Sequence, residues 1–400
     1  MDRKHIVELT ALSGVPFTMV LGNSMLIPIL PDLQRALNIS SLQASLVITL
    51  FSVPASLIIP VSGFLSDHFS RKIVIGPSLL LYGLGGLVAG IAALLGGAAT
   101  YVIILTGRIL QGLGAAGTAP IAMALTSDLF QGQKRTKALG VIEAANGFGK
   151  VMSPILGAAL GLLAWFAPFL FFPVITLAAA AALWFGVKEP QQTKKPQPVG
   201  KYLESLTKLF KKKTALLLLS YLAGSLALMT LFGILFFLSE HLEKRYGLEG
   251  IVKGLALAIP VLFMSATAYA TGFLIKRKAK LMKAVLIAGL AVDSASLAVL
   301  PLCNNTYFFF TTISLIGIGT GMVLPILNTI ITSSTDAEER GLVTSLYGSV
   351  RFLGVAAGPP VFSLLLQSGL KPMGWIPAGV TAATAVLSFF LIKSKDISQG

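Results

Sequence analysis

The chain has 400 residues, 55% of them hydrophobic and only 12% charged, with a formal net charge of +15 and a mean hydropathy of +0.83. A soluble domain carries about 25% charged residues, so this composition excludes an ordinary water-soluble fold and points to an all-α protein that crosses a membrane many times. The basic excess lies in short loops between apolar runs, which excludes a nucleic-acid surface and marks membrane orientation instead.

A bilayer core needs about 20 apolar residues per helix, and such runs recur along the chain. The first, near 7–30, ends in Pro28-Ile29-Leu30-Pro31 and lacks a small-residue cleavage site, so it reads as a retained span. Runs near 43–65, 73–96, 101–126, 138–161 and 164–187 complete a first set of six. Lys188 to Lys213 form the long polar break. It holds Pro190, Pro196 and Pro198, then Tyr202, Leu203, Leu206, Leu209 and Phe210 among lysines, a spacing that predicts a short amphipathic helix on an anionic membrane surface. Runs near 214–239, 251–275, 282–302, 307–332, 342–367 and 374–392 form the second set. The expected organisation is an N-terminal six-helix bundle over 1–187, a cytoplasmic linker over 188–213 and a C-terminal six-helix bundle over 214–400. When loops are assigned alternately to the two sides, most of the 31 Lys and Arg fall with both termini and the linker, so that side is the cytoplasm.

Cys303 is the sole cysteine, and His5, His68 and His241 fall in tails or loops. No metal site, cofactor or catalytic triad is expected, and no G-x-x-x-x-G-K-[ST] run is present to bind a nucleotide. The halves repeat. Pro120 matches Pro325, a shift of 325 − 120 = 205, and the same shift takes Gly112 to Gly317, Gly114 to Gly319, Arg135 to Arg340, Gly149 to Gly354 and Pro154 to Pro359. Six helices duplicated in parallel, with the substrate route between the copies, is a transporter plan. The charges break the repeat: Arg108 maps to Ile313, Glu143 to Gly348, Lys150 to Val355, and Arg351 to Asn146.

A charge at bilayer depth is costly and is a functional candidate. Glu143, Asn146, Gly147, Lys150 and Pro154 share one face of the fifth helix by spacing, and Glu143 is the one acid placed on a route-lining helix, so it is the leading proton-exchange residue. Lys150, Arg351 and Arg108 tip the centre positive, which suits a cargo bearing a negative group. Gln111 lies on the Arg108 face. Asn23 of the first helix, Phe232 and Phe236 of the seventh and Asn328 of the tenth are further candidates for lining a substrate pocket. Asp293, in the ninth helix, reads as structural or interfacial.

Four motifs carry a family resemblance. Leu21-Gly22 followed by Pro28-Ile29-Leu30-Pro31, the loop Gly63-Phe64-Leu65-Ser66-Asp67-His68-Phe69-Ser70-Arg71-Lys72, the run Arg108-Ile109-Leu110-Gln111-Gly112-Leu113-Gly114-Ala115-Ala116, and Gly149-Lys150-Val151-Met152-Ser153-Pro154-Ile155-Leu156-Gly157-Ala158 together resemble the twelve-helix drug/proton antiporters of the major facilitator superfamily. His68, Ser70, Ser153 and Ala158 depart from the usual residues. The resemblance implies the major facilitator fold, with twelve transmembrane helices in two pseudo-symmetric six-helix bundles, in a bacterial cytoplasmic membrane. It implies a latch of Gly63, Asp67 and Arg71, with Asp128 as the partner of Arg71 and the start of the eleventh helix near Gly341 as the partner of Asp67. It also implies that Arg108 holds an anion or tunes a nearby carboxylate, and that Gly149, Ser153, Pro154 and Gly157, with Gly354, Gly358 and Pro359 in the second half, form the bends of the fifth and eleventh helices. The expected function is proton-coupled export of small amphipathic compounds by alternating access, and not an enzymatic reaction. The alternative is a dedicated exporter of an anionic metabolite, siderophore or lipid. The expected partners are a small-molecule substrate, protons and the lipid bilayer, with no nucleic acid, and nothing demands more than a monomer.

Overall fold

The computed structural model describes residues 3–189, 199–275, 278–334 and 340–397. Among the described residues the chain is helical throughout. A first span is built of α1 (Arg3–Ser24), a 3-10 turn (Ile27–Ile29) and α2 (Leu30–Leu37). Then come α3 (Ser41–His68), α4 (Arg71–Leu95), the pair α5 (Thr100–Ala116) and α6 (Ala119–Leu129), α7 (Gly132–Gly161) and α8 (Ala167–Gly186). The second half holds α9 (Val199–Tyr246), α10 (Gly250–Leu274), α11 (Ala279–Val299), α12 (Thr306–Ser333), α13 (Arg340–Gln367), α14 (Leu370–Leu391) and a final turn, α15 (Ser394–Ile397).

Local chemistry sets the ends. Ser40 and Gln43 form a reciprocal capping box at α3, with Gln43 N donating to Ser40 Oγ at 3.2 Å and Ser40 N to Gln43 Oε1 at 2.9 Å. Ser70 caps α4 by accepting from Ile73 N, and Asn305 caps α12 by accepting from Tyr307 N at 2.8 Å. Of the twelve spans, 11 are long and apolar enough to cross a membrane. The exception is α7, because Lys134, Arg135, Lys137, Glu143, Asn146 and Lys150, together with several glycines, dilute its apolar residues. The linker helix is no separate element: backbone from Val199 runs without a break into the seventh span as one helix of 48 residues. The lysine-rich side chains expected on the membrane surface lie outside the described ones.

Two compact units are present, residues 1–196 with 239–258, and residues 197–238 with 259–400. Inside lipid there is no hydrophobic drive between helices, so close backbone approach and polar bonds hold them together. In the first unit, a Cβ on Gly107 would lie 2.6 Å from the Gly85 carbonyl oxygen, and one on Gly114 would lie 2.5 Å from Tyr82 N. The glycines of α5 therefore let α4 come to backbone contact.

The internal repeat is visible in this packing. Gly112 lies against the Phe51 carbonyl of α3, and Gly317 against the Pro260 carbonyl of α10. Gly149 lies against Phe17 of α1, and Gly354 against Ser225 of α9. One matched feature diverges. The helix breaks at Gly117 and Thr118, just before Pro120, whereas α12 runs on through Pro325. Proline removes one backbone donor in both helices. The first copy adds a glycine there, and the second has Met322 in its place.

Candidate functional site

Arg108 is fully buried in α5. Its Nε donates to the Val47 carbonyl at 2.7 Å, Nη1 to Gln111 Oε1 at 2.7 Å and Nη2 to the Gly22 carbonyl at 2.8 Å, and its guanidinium lies 4.4 Å from the centre of the Phe51 ring. The helical spacing of Arg108 and Gln111 makes the side-chain bond possible. The two carbonyls come from α1 and α3, so this cation clamps three helices. Gln111 is equally buried and wedged against α4, where only Gly85 and Gly86 leave it room. Neither side chain opens to a ligand in this state, which differs from the expected place on the substrate path. The physical reason is that in a sealed interior the nearest strong acceptors are backbone carbonyls.

The loop motif is organised around Arg71. Its Nε donates to Asp128 Oδ2 at 2.5 Å, and its Nη1 lies 3.2 Å from Asp67 Oδ1 and 3.3 Å from Ser66 Oγ. Asp67 itself is 59% exposed. The partner expected for it near Gly341 lies outside the described side chains, and a Cβ on Gly63 would meet open space. Sequence reading missed Glu189. Its carboxylate accepts from Arg71 N at 2.7 Å and Lys72 N at 3.0 Å and pairs with Ser70 Oγ, so an acid from the end of the first half sits on the positive N-terminus of α4. Lys72 Nζ donates back to the Val187 carbonyl at 2.7 Å.

Along α7, Glu143 is exposed, Asn146 and Lys150 are half-buried, and Gly149, Ser153, Pro154 and Gly157 are buried. Asn146 Oδ1 and, on α1, Asn23 Oδ1 are buried with no hydrogen-bond partner among the described residues. Ser153 Oγ donates to the Leu21 carbonyl at 3.3 Å, and Gly157 packs on the Met25 backbone, so this run joins α7 to α1. The helix passes through Pro154 unbroken, as α13 passes through Gly358 and Pro359.

A charge cluster that the sequence did not announce lies elsewhere in the first unit. Arg35 pairs with Asp32 and Glu243, and Lys253, only 2% exposed, donates to Glu243 Oε2 at 2.8 Å. Ser239 Oγ donates to the Ile27 carbonyl at 2.8 Å beside it. The clue was the position of Lys253, one turn inside an apolar helix.

In the second unit the candidates separate. Phe232 and Phe236 are buried, whereas Asn328 is exposed on α12. Arg351 is half-buried on α13, its guanidinium 5.3 Å from the centre of the Tyr347 ring. Tyr347 in turn stacks on Tyr221 of α9 at 5.9 Å, and Tyr221 Oη donates to the Val343 carbonyl at 3.0 Å. Asp293 is fully buried in α11 against Gly319, with neither carboxylate oxygen hydrogen-bonded among the described residues. Thr320, whose hydroxyl donates to the Ala227 carbonyl at 3.3 Å, is the polar neighbour of this carboxylate through both its side chain and its backbone. Among the described residues no group of three His, Cys, Asp or Glu could hold a metal.

Two repeats of six long helices, with ionisable groups inside the spans, define a multi-pass membrane protein. The family model of the Major Facilitator Superfamily matches residues 12–359 and 283–399, and the chain belongs to that family. It is 42% identical over 387 residues to the bacillibactin exporter of Bacillus subtilis (strain 168), covering 96% of this chain and 95% of that protein. It is 26% identical over 382 residues to the class C tetracycline resistance protein of Escherichia coli, covering 89% of each. Among solved structures, a bacterial homologue of the human lysosomal transporter Spinster, inward-facing and unoccupied, superposes with a TM-score of 0.75 at 16% identity, covering 100% of this chain and 97% of that one. A human organic anion transporter gives 0.73 at 18%, covering 97% and 100%. Both of these likenesses concern the fold alone.

Proposed function

We propose that this chain is a dedicated exporter of an anionic metabolite of the siderophore class, driven by protons moving inward across a bacterial cytoplasmic membrane with both termini inside. The observation that carries the reading is the 42% identity to a bacillibactin exporter across nearly the whole of both chains. The residues agree with it: Lys150 and Arg351 are half-buried cations in helices rich in small residues, and a cation at bilayer depth is retained where it has an anion to meet. Proton coupling is assigned to Glu143, an exposed acid on the same face of α7 as Asn146 and Lys150, one and two turns before them. The antiporter-like run from Gly149 to Ala158 supports exchange over uniport.

Broad efflux of amphipathic compounds is the second reading, favoured by the 26% identity to a tetracycline resistance protein. Proteoliposomes with an imposed proton gradient and an internal pH dye separate the two. The primary reading expects bacillibactin to move and to shift internal pH, while cationic dyes neither move nor compete. Strong dye transport without competition by the siderophore would overturn it.

A further inference from the structure

We propose that Thr344, Tyr347 and Arg351 of α13, with Ser220 of the facing α9, form an oxyanion-binding subsite within the second unit, taking a carboxylate or phenolate oxygen of the cargo. This deepens the exporter reading and rests on its anionic cargo. Positions 344, 347 and 351 share one face of α13 at i, i+3 and i+7. Thr344 Oγ1, Tyr347 Oη, Arg351 Nε and Ser220 Oγ are all buried atoms with no hydrogen-bond partner among the described residues. Tyr347 is 1% exposed and Ser220 0%. Buried polar groups are nearly always bonded, and these four lie in two helices packed against each other.

Their chemistry is one-sided. An arginine Nε can only donate, and hydroxyls readily do, so the missing partner is an acceptor. The groups are also held in place. The Tyr347 ring is stacked on Tyr221, and Gly224 of α9 admits its hydroxyl tip: a Cβ there would lie 2.8 Å from Tyr347 Oη. Arg351 and Thr344 are half-buried as whole residues, whereas Tyr347 and Ser220 are fully buried.

The internal repeat supplies the control. Under the shift of 205, Thr344, Tyr347 and Arg351 stand where the first unit has Leu139, Ile142 and Asn146. Under the packing match of Gly149 on Phe17 with Gly354 on Ser225, a shift of 225 − 17 = 208, Ser220 stands where the first unit has Leu12. The same helix pair therefore packs in the first unit with apolar residues at three of the four positions. Packing does not require the polar set, and a ligand explains it.

The test uses the full chain in lipid nanodiscs, with salicylate as the anionic probe and neutral salicylamide as its control. Calorimetry is expected to show binding of salicylate and much weaker binding of salicylamide. Arg351→Gln should weaken salicylate binding about tenfold or more, and Tyr347→Phe and Thr344→Val several-fold each. A structural role would show in a different readout. If the groups await a ligand, Tyr347→Phe and Thr344→Val leave the ligand-free melting temperature unchanged or raised, and abolish most of its rise with salicylate. Equal binding of the two probes, or a lowered ligand-free melting temperature with binding intact, would overturn the subsite. Siderophore export by a wild-type protein that ignores salicylate would sink the subsite and leave the exporter reading standing. Salicylate binding lost in the variants, in a protein that exports no anionic cargo, would support the subsite and sink that reading.

Discussion

Arg108 and Arg351 are both arginines inside transmembrane helices, yet one is spent and the other is not. Arg108 reaches carbonyls on two other helices and a glutamine on its own, and no part of it is exposed. Arg351 keeps a buried Nε without a hydrogen-bond partner among the described residues, beside Tyr347, whose hydroxyl is in the same condition. Charge at bilayer depth locks helices together where the donors find backbone acceptors, and under the proposed subsite it waits for a ligand where they do not. Hydropathy treats the two alike, whereas the hydrogen-bond ledger separates them.

The comparison can be broken by substitution. The largest effect is expected from Arg108→Leu, which takes the donors away from carbonyls on two helices and from Gln111 Oε1. At about 1.5–3 kcal/mol for each hydrogen bond to a charge, the loss should exceed 3 kcal/mol and appear as a steep fall in thermal stability in detergent. A normal melting temperature for that variant would end the clamp reading. Next is Glu243→Gln, which leaves Lys253 buried without its carboxylate and should cost on the order of 3 kcal/mol. Replacing both at once, Glu243→Gln with Lys253→Met, should recover much of that loss, and thermal melts of the three proteins decide it.

Gly107→Ala sharpens the packing side. Its methyl would meet the Gly85 backbone, so a loss of roughly 1–3 kcal/mol is expected. Arg351→Gln should change stability by less than about 1 kcal/mol, because its side chain is half-exposed and makes no bond through Nε. Its loss should fall on anion transport instead. The smallest effect is expected for Asp67→Asn. That carboxylate is mostly exposed, and its pair with Arg71 is worth no more than about 0.5 kcal/mol. A transport defect in this variant without a stability defect would mark Asp67 as part of a conformational step.

Much of the architecture was legible before any coordinates. Apolar run length located the spans, and the shift of 205 joined glycines that indeed pack alike, Gly112 with Gly317 and Gly149 with Gly354. The site was less legible. Glu189 could not be tied to Arg71 and Lys72, because 118 and 117 residues separate them and no local spacing links a chain end to a helix N-terminus. Asp293 read as structural or interfacial, since sequence shows neither its full burial nor its packing against Gly319. Tyr347 went unnoticed because an aromatic in an apolar helix carries no signal until its hydroxyl is seen without a partner.

The amino-acid sequence alone determined that this is a membrane protein of two repeated six-helix sets and where its charges enter the bilayer, because water and hydrocarbon sort residues by local composition and length. Tertiary structure alone decided what each charge does. The backbone acceptors of Arg108 lie 61 and 86 residues away along the chain, and whether a donor is satisfied depends on which helices fold against it.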